Sequence, residues 1–199
     1  MGMLDEILTH NAEYVATRQY EALQTDKFPD KGLAVLACMD ARLVELLPQA
    51  LGIRNGDAKL IKNAGALVTA PWGSVMRSLL VAVYALRAEE ICVIAHYDCG
   101  MSAIDPKEIL AQARQRGISD DVIRTLRVSG IDLDGFLKGF ANVEESVRNT
   151  CTLVRQHPLL PRDVPVHGLI IDPSTGRLDT IVNGYTVMAA ENATEATPQ

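Results

Sequence analysis

Two runs of five consecutive apolar residues, Leu33 to Ala37 and Ile91 to Ala95, are the strongest constraint on how this 199-residue chain folds. A strand with one wet face alternates apolar and polar side chains, whereas a strand apolar at every position is buried on both faces. Helix-length stretches separate these runs from each other and from further strand candidates at Ala58 to Lys62 and Val164 to Ile171. That alternation predicts an α/β fold of three layers, with a central, mainly parallel sheet of four strands covered by helices on both sides. Leu178 to Val182 follows the turn Asp172-Pro173-Ser174-Thr175-Gly176 and is expected as an antiparallel C-terminal edge strand.

The remaining segments read as helices. Leu4, Ile7, Leu8, Ala12 and Val15 recur at helical spacing within residues 3–24. Pro71 is placed to open a helix running to Leu86, and Val143 to Gln156 forms another, stopped at His157-Pro158. Residues 105–140 are polar and helical in pieces, with breaks at Gly117 and Gly130. Three units are expected: a helical arm over residues 1–30, a catalytic domain over 31–188, and a disordered tail over 189–199.

Charge and hydropathy remove several classes of function. The chain carries 19 basic and 25 acidic residues, a net charge of −6, which repels phosphate backbones and anionic lipid, so no nucleic-acid or membrane partner is expected. The longest apolar run, Leu79 to Leu86, falls far short of the roughly 20 residues that a membrane span needs. The first residues, MGMLDEILTHN, lack a basic region and a long apolar stretch, so a cytoplasmic protein is expected. In that compartment cysteines serve metals or catalysis more often than disulfides.

Two segments concentrate chemistry. Cys38-Met39-Asp40-Ala41-Arg42 and His96-Tyr97-Asp98-Cys99-Gly100 each follow a buried strand. Ligands of open parallel sheets bind at the carboxyl ends of strands, where strand order reverses. If the first and third strands are neighbours, Cys38, His96 and Cys99 converge there. Two thiolates and an imidazole suit zinc, and three protein ligands leave the fourth position open for chemistry. Asp40 is the one nearby candidate for that position. Arg42 follows it by two residues, on the same side of an extended chain, and can hold its carboxylate by a two-pronged contact. Asp40 would then stay ionised, off the metal, and accept a hydrogen bond from a zinc-bound water or hydroxide.

The other cysteines and histidines carry blander expectations. Cys92 lies inside a strand and Cys151 inside an apolar helix, so both are core. His10 is an exposed helix residue, His157 marks a helix end, and His167 is a hydrogen-bonded core histidine. None of them makes a convincing proton shuttle.

Taken in order, Cys38-x-Asp40-x-Arg42, Asn63-Ala64-Gly65, Val75-Met76-Arg77-Ser78, His96-x-x-Cys99-Gly100-Met101, Asn142 to Arg148, His157-Pro158-Leu159 and Val166-His167-Gly168 resemble the β-class carbonic anhydrases, in their shorter prokaryotic branch. The likeness spans about Lys31 to Val182. It implies one zinc ion per chain on Cys38, His96 and Cys99, with Asp40 and Arg42 as the catalytic dyad. It also implies reversible hydration of CO2 to bicarbonate, and a homodimer or tetramer in which the N-terminal helix reaches the partner. Asn63, Ala64, Gly65, Ala66, Val68 and Gly100 are the candidate substrate pocket, with Ala66 and Val68 as its apolar wall. The chain departs from the branch at Ser74, where an acidic residue is common, and over residues 105–140. Because the branch also contains carbon disulfide hydrolases, hydrolysis of carbon disulfide or carbonyl sulfide is the alternative chemistry. A zinc-stabilised binding protein with Asp40 locked on the metal is the alternative of another class.

Overall fold

The computed structural model describes residues 2–195, and its five strands form one sheet. They are β1 (Leu33–Cys38), β2 (Ala58–Asn63), β3 (Glu90–His96), β4 (Val166–Ile171) and β5 (Leu178–Val182), in the spatial order β2–β1–β3–β4–β5. The first four run parallel and β5 returns antiparallel to β4. β4 begins at Val166 rather than Val164, because Pro165 has no N–H for the ladder and contributes only its carbonyl, to Ile91.

Alternation along each strand divides the core into two layers. Ala34, Leu36, Ile91, Val93, Ala95 and Ile170 face one side. There they meet Met76 and Leu79 of helix α3 (Ser74–Leu86) and Val147, Cys151 and Val154 of helix α7 (Val143–Arg155). Val35, Ala37, Ile94 and Ile171 face the other side, with Leu43 and with Leu47 of the short helix α2 (Leu46–Ala50). α7 seats directly on β4 because Gly168 has no side chain: a Cβ there would lie 2.6 Å from Val147 Cγ1 and 2.8 Å from Cys151 Sγ.

The first helix is shorter than the sequence suggests. α1 spans Met3–Ala16, Arg18 turns left-handed at φ 55°, and Gln19–Leu23 continues as a 3-10 turn. α1 buries none of its residues within the chain. α3 starts at Ser74 rather than Pro71, with Gly73 as its extended N-cap. Residues 105–140 form α4 (Pro106–Gln115), α5 (Asp120–Val128) and α6 (Leu133–Leu137), separated at Gly117 and Gly130, whose φ values of 99° and 86° suit glycine.

Within the described residues, the expected disordered tail is helical from 189 to 195. α8 covers Gly184–Glu195, and residues 196–199 lie outside the described part. Two features hold this helix. The Asn183 side chain accepts the Tyr185 and Thr186 N–H groups at 3.1 and 3.3 Å, as an N-cap does. Glu191 pairs with the mostly buried Arg155 at 2.6 Å. Ala189, Ala190 and Ala193 read as small and featureless in sequence, yet alanine is the strongest helix former.

Candidate metal centre

β1 is flanked by β2 on one side and β3 on the other, so the chain direction across the sheet reverses between β1 and β3. The carboxyl ends of those two strands carry the site. Cys38 closes β1, His96 closes β3, and Cys99 follows after a tight turn in which Asp98 is left-handed at φ 53°. Cys38 Sγ, one His96 ring nitrogen and Cys99 Sγ all lie within 4.8 Å of one another, and all three residues are buried. Among the described residues they are the one such cluster.

The donor atoms are prepared for a cation. The two sulfurs are 3.8 Å apart and form no disulfide. His96 Nδ1 lies 2.8 Å from the Tyr97 carbonyl oxygen and donates to it, which leaves Nε2 as the lone-pair nitrogen. That Nε2 is fully buried and has no hydrogen-bond partner. A buried acceptor without a partner is costly, and a metal ion removes the cost. Burial raises the Cys38 thiol pKa, but the adjacent His96 ring and the Gly65 and Asp40 backbone N–H groups outweigh it and bring the group to about 7. Cys99 is pushed up to about 11 by burial and by the neighbouring Cys38. Cys38 thus forms a thiolate more easily than Cys99, and a bound dication would favour the thiolate of both.

The Asn63-Ala64-Gly65 segment feeds this centre through its backbone. The Asn63 side chain clasps Leu67, donating to its carbonyl at 2.6 Å and accepting its N–H at 3.1 Å. The closed loop puts Gly65 at φ 78° and aims its N–H at Cys38 Sγ, 3.4 Å away. Ala64 only links these two. Gly100 begins the 3-10 turn after Cys99, and a side chain there would meet open space. Ala66 and Val68, expected as the apolar wall, are buried and belong to the core layer that includes α3 and α7, and Val68 also lines a cavity with Phe140. Met101 and Phe140 pack on the layer that contains Cys38 and Cys99. Phe140 comes from the end of the polar 105–140 segment, where no periodicity marks it.

Asp40 and Arg42 do pair, by a different geometry from that of an extended chain. Asp40 is the N-cap of a 3-10 turn, Ala41–Leu43, and its Oδ1 accepts the Arg42 backbone N–H at 2.9 Å. The turn brings the guanidinium round side-on, so that Nε reaches Oδ1 and Nη2 reaches Oδ2, both at 3.0 Å. Arg42 holds the Asp40 carboxyl well below the usual range, at about 2. Oδ2 also stands 3.6 Å from His96 Nε2. Asp98, which the sequence reading leaves without a role, meets Arg42 from the far side.

The other candidates stay structural. Cys92 and Cys151 are raised to about 11 and about 12, chiefly by burial, and are inert thiols. His167 Nδ1 accepts the Gly184 N–H at 3.1 Å, and its Nε2 faces Glu90 at 3.3 Å. His157 is buried at the end of α7 and accepts the Leu159 N–H.

Comparison with known proteins agrees with this geometry. The family model described as carbonic anhydrase matches residues 33–178. YtiB of Bacillus subtilis (strain 168), whose carbonic anhydrase name is itself an assignment, is 56% identical over 185 residues, covering 93% of this chain and 99% of that protein. A carbon disulfide hydrolase of Acidithiobacillus thiooxidans is 31% identical over 191 residues, covering 89% of this chain and 86% of that protein. The crystal structure of β-carbonic anhydrase isoform I from Trichomonas vaginalis superposes with a TM-score of 0.85 at 33% identity, over 93% of this chain and all of that one. With its parallel sheet, its paired strand-end motifs and these relatives, the chain belongs to the β-carbonic anhydrase family.

Proposed function

We propose that the protein catalyses the reversible hydration of CO2 to bicarbonate and a proton, with one zinc ion per chain held by Cys38 Sγ, His96 Nε2 and Cys99 Sγ. When bound, zinc supplies a Lewis-acid centre that ionises water near neutral pH. The chain does the rest. The two sulfurs and the imidazole fix the ion at the carboxyl end of the sheet. The Tyr97 carbonyl fixes the His96 ring, and the Gly65 N–H steadies the Cys38 sulfur. Asp40 accepts a hydrogen bond from the reacting water and aims it, and Arg42 keeps Asp40 ionised and restrains it beside the ligand set.

The observation that carries this reading is the side-on Asp40–Arg42 pair beside a buried, partnerless His96 Nε2. A carboxylate locked in the fourth position would make a closed, structural site. Held by Arg42, Asp40 leaves that position free for substrate chemistry. Carbon disulfide hydrolysis on the same zinc site is the alternative, so substrate choice rests on the approach to the site. The higher identity to a protein with a carbonic anhydrase name supports CO2. Stopped-flow hydration of CO2 by the zinc-loaded protein, run beside hydrogen sulfide release from carbon disulfide and carbonyl sulfide, separates them. Fast CO2 turnover with negligible sulfide is expected, and the reverse ratio overturns the assignment.

The same reading makes the protein a homodimer, or a tetramer built from dimers, in a reducing cytoplasm. Leu4, Ile7 and Leu8 of α1 are each more than half exposed, and a helix with such a stripe needs a surface to cover it. Trp72, just before α3, and Val81 and Tyr84 on α3 are exposed and offer one on a second copy. Two thiols 3.8 Å apart stay available to zinc where disulfides do not persist.

A further inference from the structure

The guanidinium of Arg42 is gripped along two edges. Its side edge, Nε and Nη2, meets the Asp40 carboxylate. Its end edge meets Asp98: Nη1 donates to Asp98 Oδ2 and Nη2 to the Asp98 backbone oxygen, both at 2.9 Å. We propose that Asp98 is a positioning residue for the dyad, tying Arg42 to the loop that carries His96 and Cys99 and so setting how far Asp40 can swing towards the metal. This rests on the reading of Asp40 and Arg42 given above.

Donor arithmetic decides whether Asp98 helps Asp40 or competes with it. Arg42 offers five N–H groups in a rigid plane. Nε and one hydrogen of Nη2 serve Asp40, while the other Nη2 hydrogen and one of Nη1 serve Asp98. The two carboxylates never share a hydrogen, so the second grip costs the first nothing. Without it, a side chain that is 44% exposed would have a single partner and a free end in water.

The backbone explains why this residue can hold both end-edge contacts. Asp98 sits at φ 53°, between the two ligands of its loop. Aspartate and asparagine tolerate the left-handed region better than most residues. That turn presents carbonyl and carboxylate to one guanidinium. The link spans two loops: Arg42 follows β1 and Asp98 follows β3. Any shift of one loop against the other is therefore felt by the dyad and the ligand set together. An ion pair exposed to this degree, Asp98 being 86% exposed, contributes little to stability on its own. Its value lies in orientation, where a small displacement has a large effect on rate.

The test uses zinc-loaded Asp98→Gly, which keeps the left-handed turn and the backbone oxygen, and Asp98→Asn, which also keeps an acceptor. Arg42→Ala and the double variant Arg42→Ala/Asp98→Gly complete the set. kcat/KM for CO2 is expected to fall about fivefold in Asp98→Gly, mainly in kcat, and less in Asp98→Asn, with zinc content unchanged. In cobalt(II)-substituted protein, the visible bands of Asp98→Gly should move towards those of Arg42→Ala, since both loosen Asp40. In the Arg42→Ala background the glycine should add no further loss. An unchanged or higher kcat/KM in Asp98→Gly, or losses that multiply in the double variant, overturns the proposal. Full activity in Arg42→Ala would instead show that the dyad itself is misread.

Discussion

Asp40 Oδ2 accepts a hydrogen bond from Arg42 Nη2 at 3.0 Å and stands 3.6 Å from His96 Nε2. One oxygen thus lies between a guanidinium and the nitrogen best placed to bind a metal. A cation on His96 falls within reach of a carboxylate that a neighbour already restrains. That arrangement would separate an open metal centre from a closed one, and it depends on two short stretches of chain, at the ends of β1 and β3.

Removing a ligand should empty the centre. Cys99→Ser is expected to lose zinc, because the hydroxyl is a far weaker ligand than a thiolate and leaves a two-ligand site. Cys92→Ser and Cys151→Ser should keep one zinc per chain, since both residues lie outside the cluster. Elemental analysis after gel filtration reads all three, and full occupancy in Cys99→Ser would contradict the ligand set.

Acid should act on the dyad in a defined direction. Arg42 depresses the Asp40 carboxyl to about 2 from an ordinary 3.8. A carboxylate that is more acidic in the fold stabilises it above its unfolded pKa, and that contribution is lost as pH falls through the folded value. Between about pH 4 and about pH 2 the wild type should therefore lose thermal stability more steeply than Asp40→Asn. Equal slopes by calorimetry would show that the pair does not exist in solution.

Gly65→Ala should harm both stability and metal retention. Gly65 is left-handed at φ 78°, and a Cβ would come within 3.1 Å of both Met101 Cγ and Phe140 Cε1. Strain of this kind costs about 1–3 kcal/mol, and relieving it by rotation withdraws the N–H from Cys38. A lower melting temperature with weaker zinc affinity is expected. A variant with wild-type values for both would mean that the loop has room to spare.

The arm has its own test. Deleting residues 2–24 removes α1 and its apolar stripe without touching the sheet. Light scattering at micromolar concentration should then report a smaller assembly than that of the full chain. An unchanged mass would place the subunit contact elsewhere.

Much of the fold is legible in the sequence. Continuous apolar runs gave β1 and β3 because burial on both faces leaves no polar position to blur them. The residues that close or follow those strands gave the Cys38, His96 and Cys99 cluster because chain topology alone brings the strand ends together. Other features depend on tertiary contacts. The Asp40–Arg42 pair follows from a 3-10 turn, which two-residue spacing in an extended chain does not describe. Asp98 meets Arg42 across 56 residues of sequence, a contact with no local signature. Ala66 and Val68 are buried in the core layer that includes α3 and α7, while Phe140 arrives from a segment with no periodicity. α8 was hidden by its composition, although Asn183 marks its start.

The central claim is that CO2 hydration occurs at the zinc held by Cys38, His96 and Cys99. Titrating zinc into metal-free protein while following CO2 hydration by stopped flow tests it most directly. The rate should rise in proportion to added zinc and break sharply at one equivalent per chain. Hydration that is already complete without zinc, or that stays absent once one equivalent is bound, would contradict it.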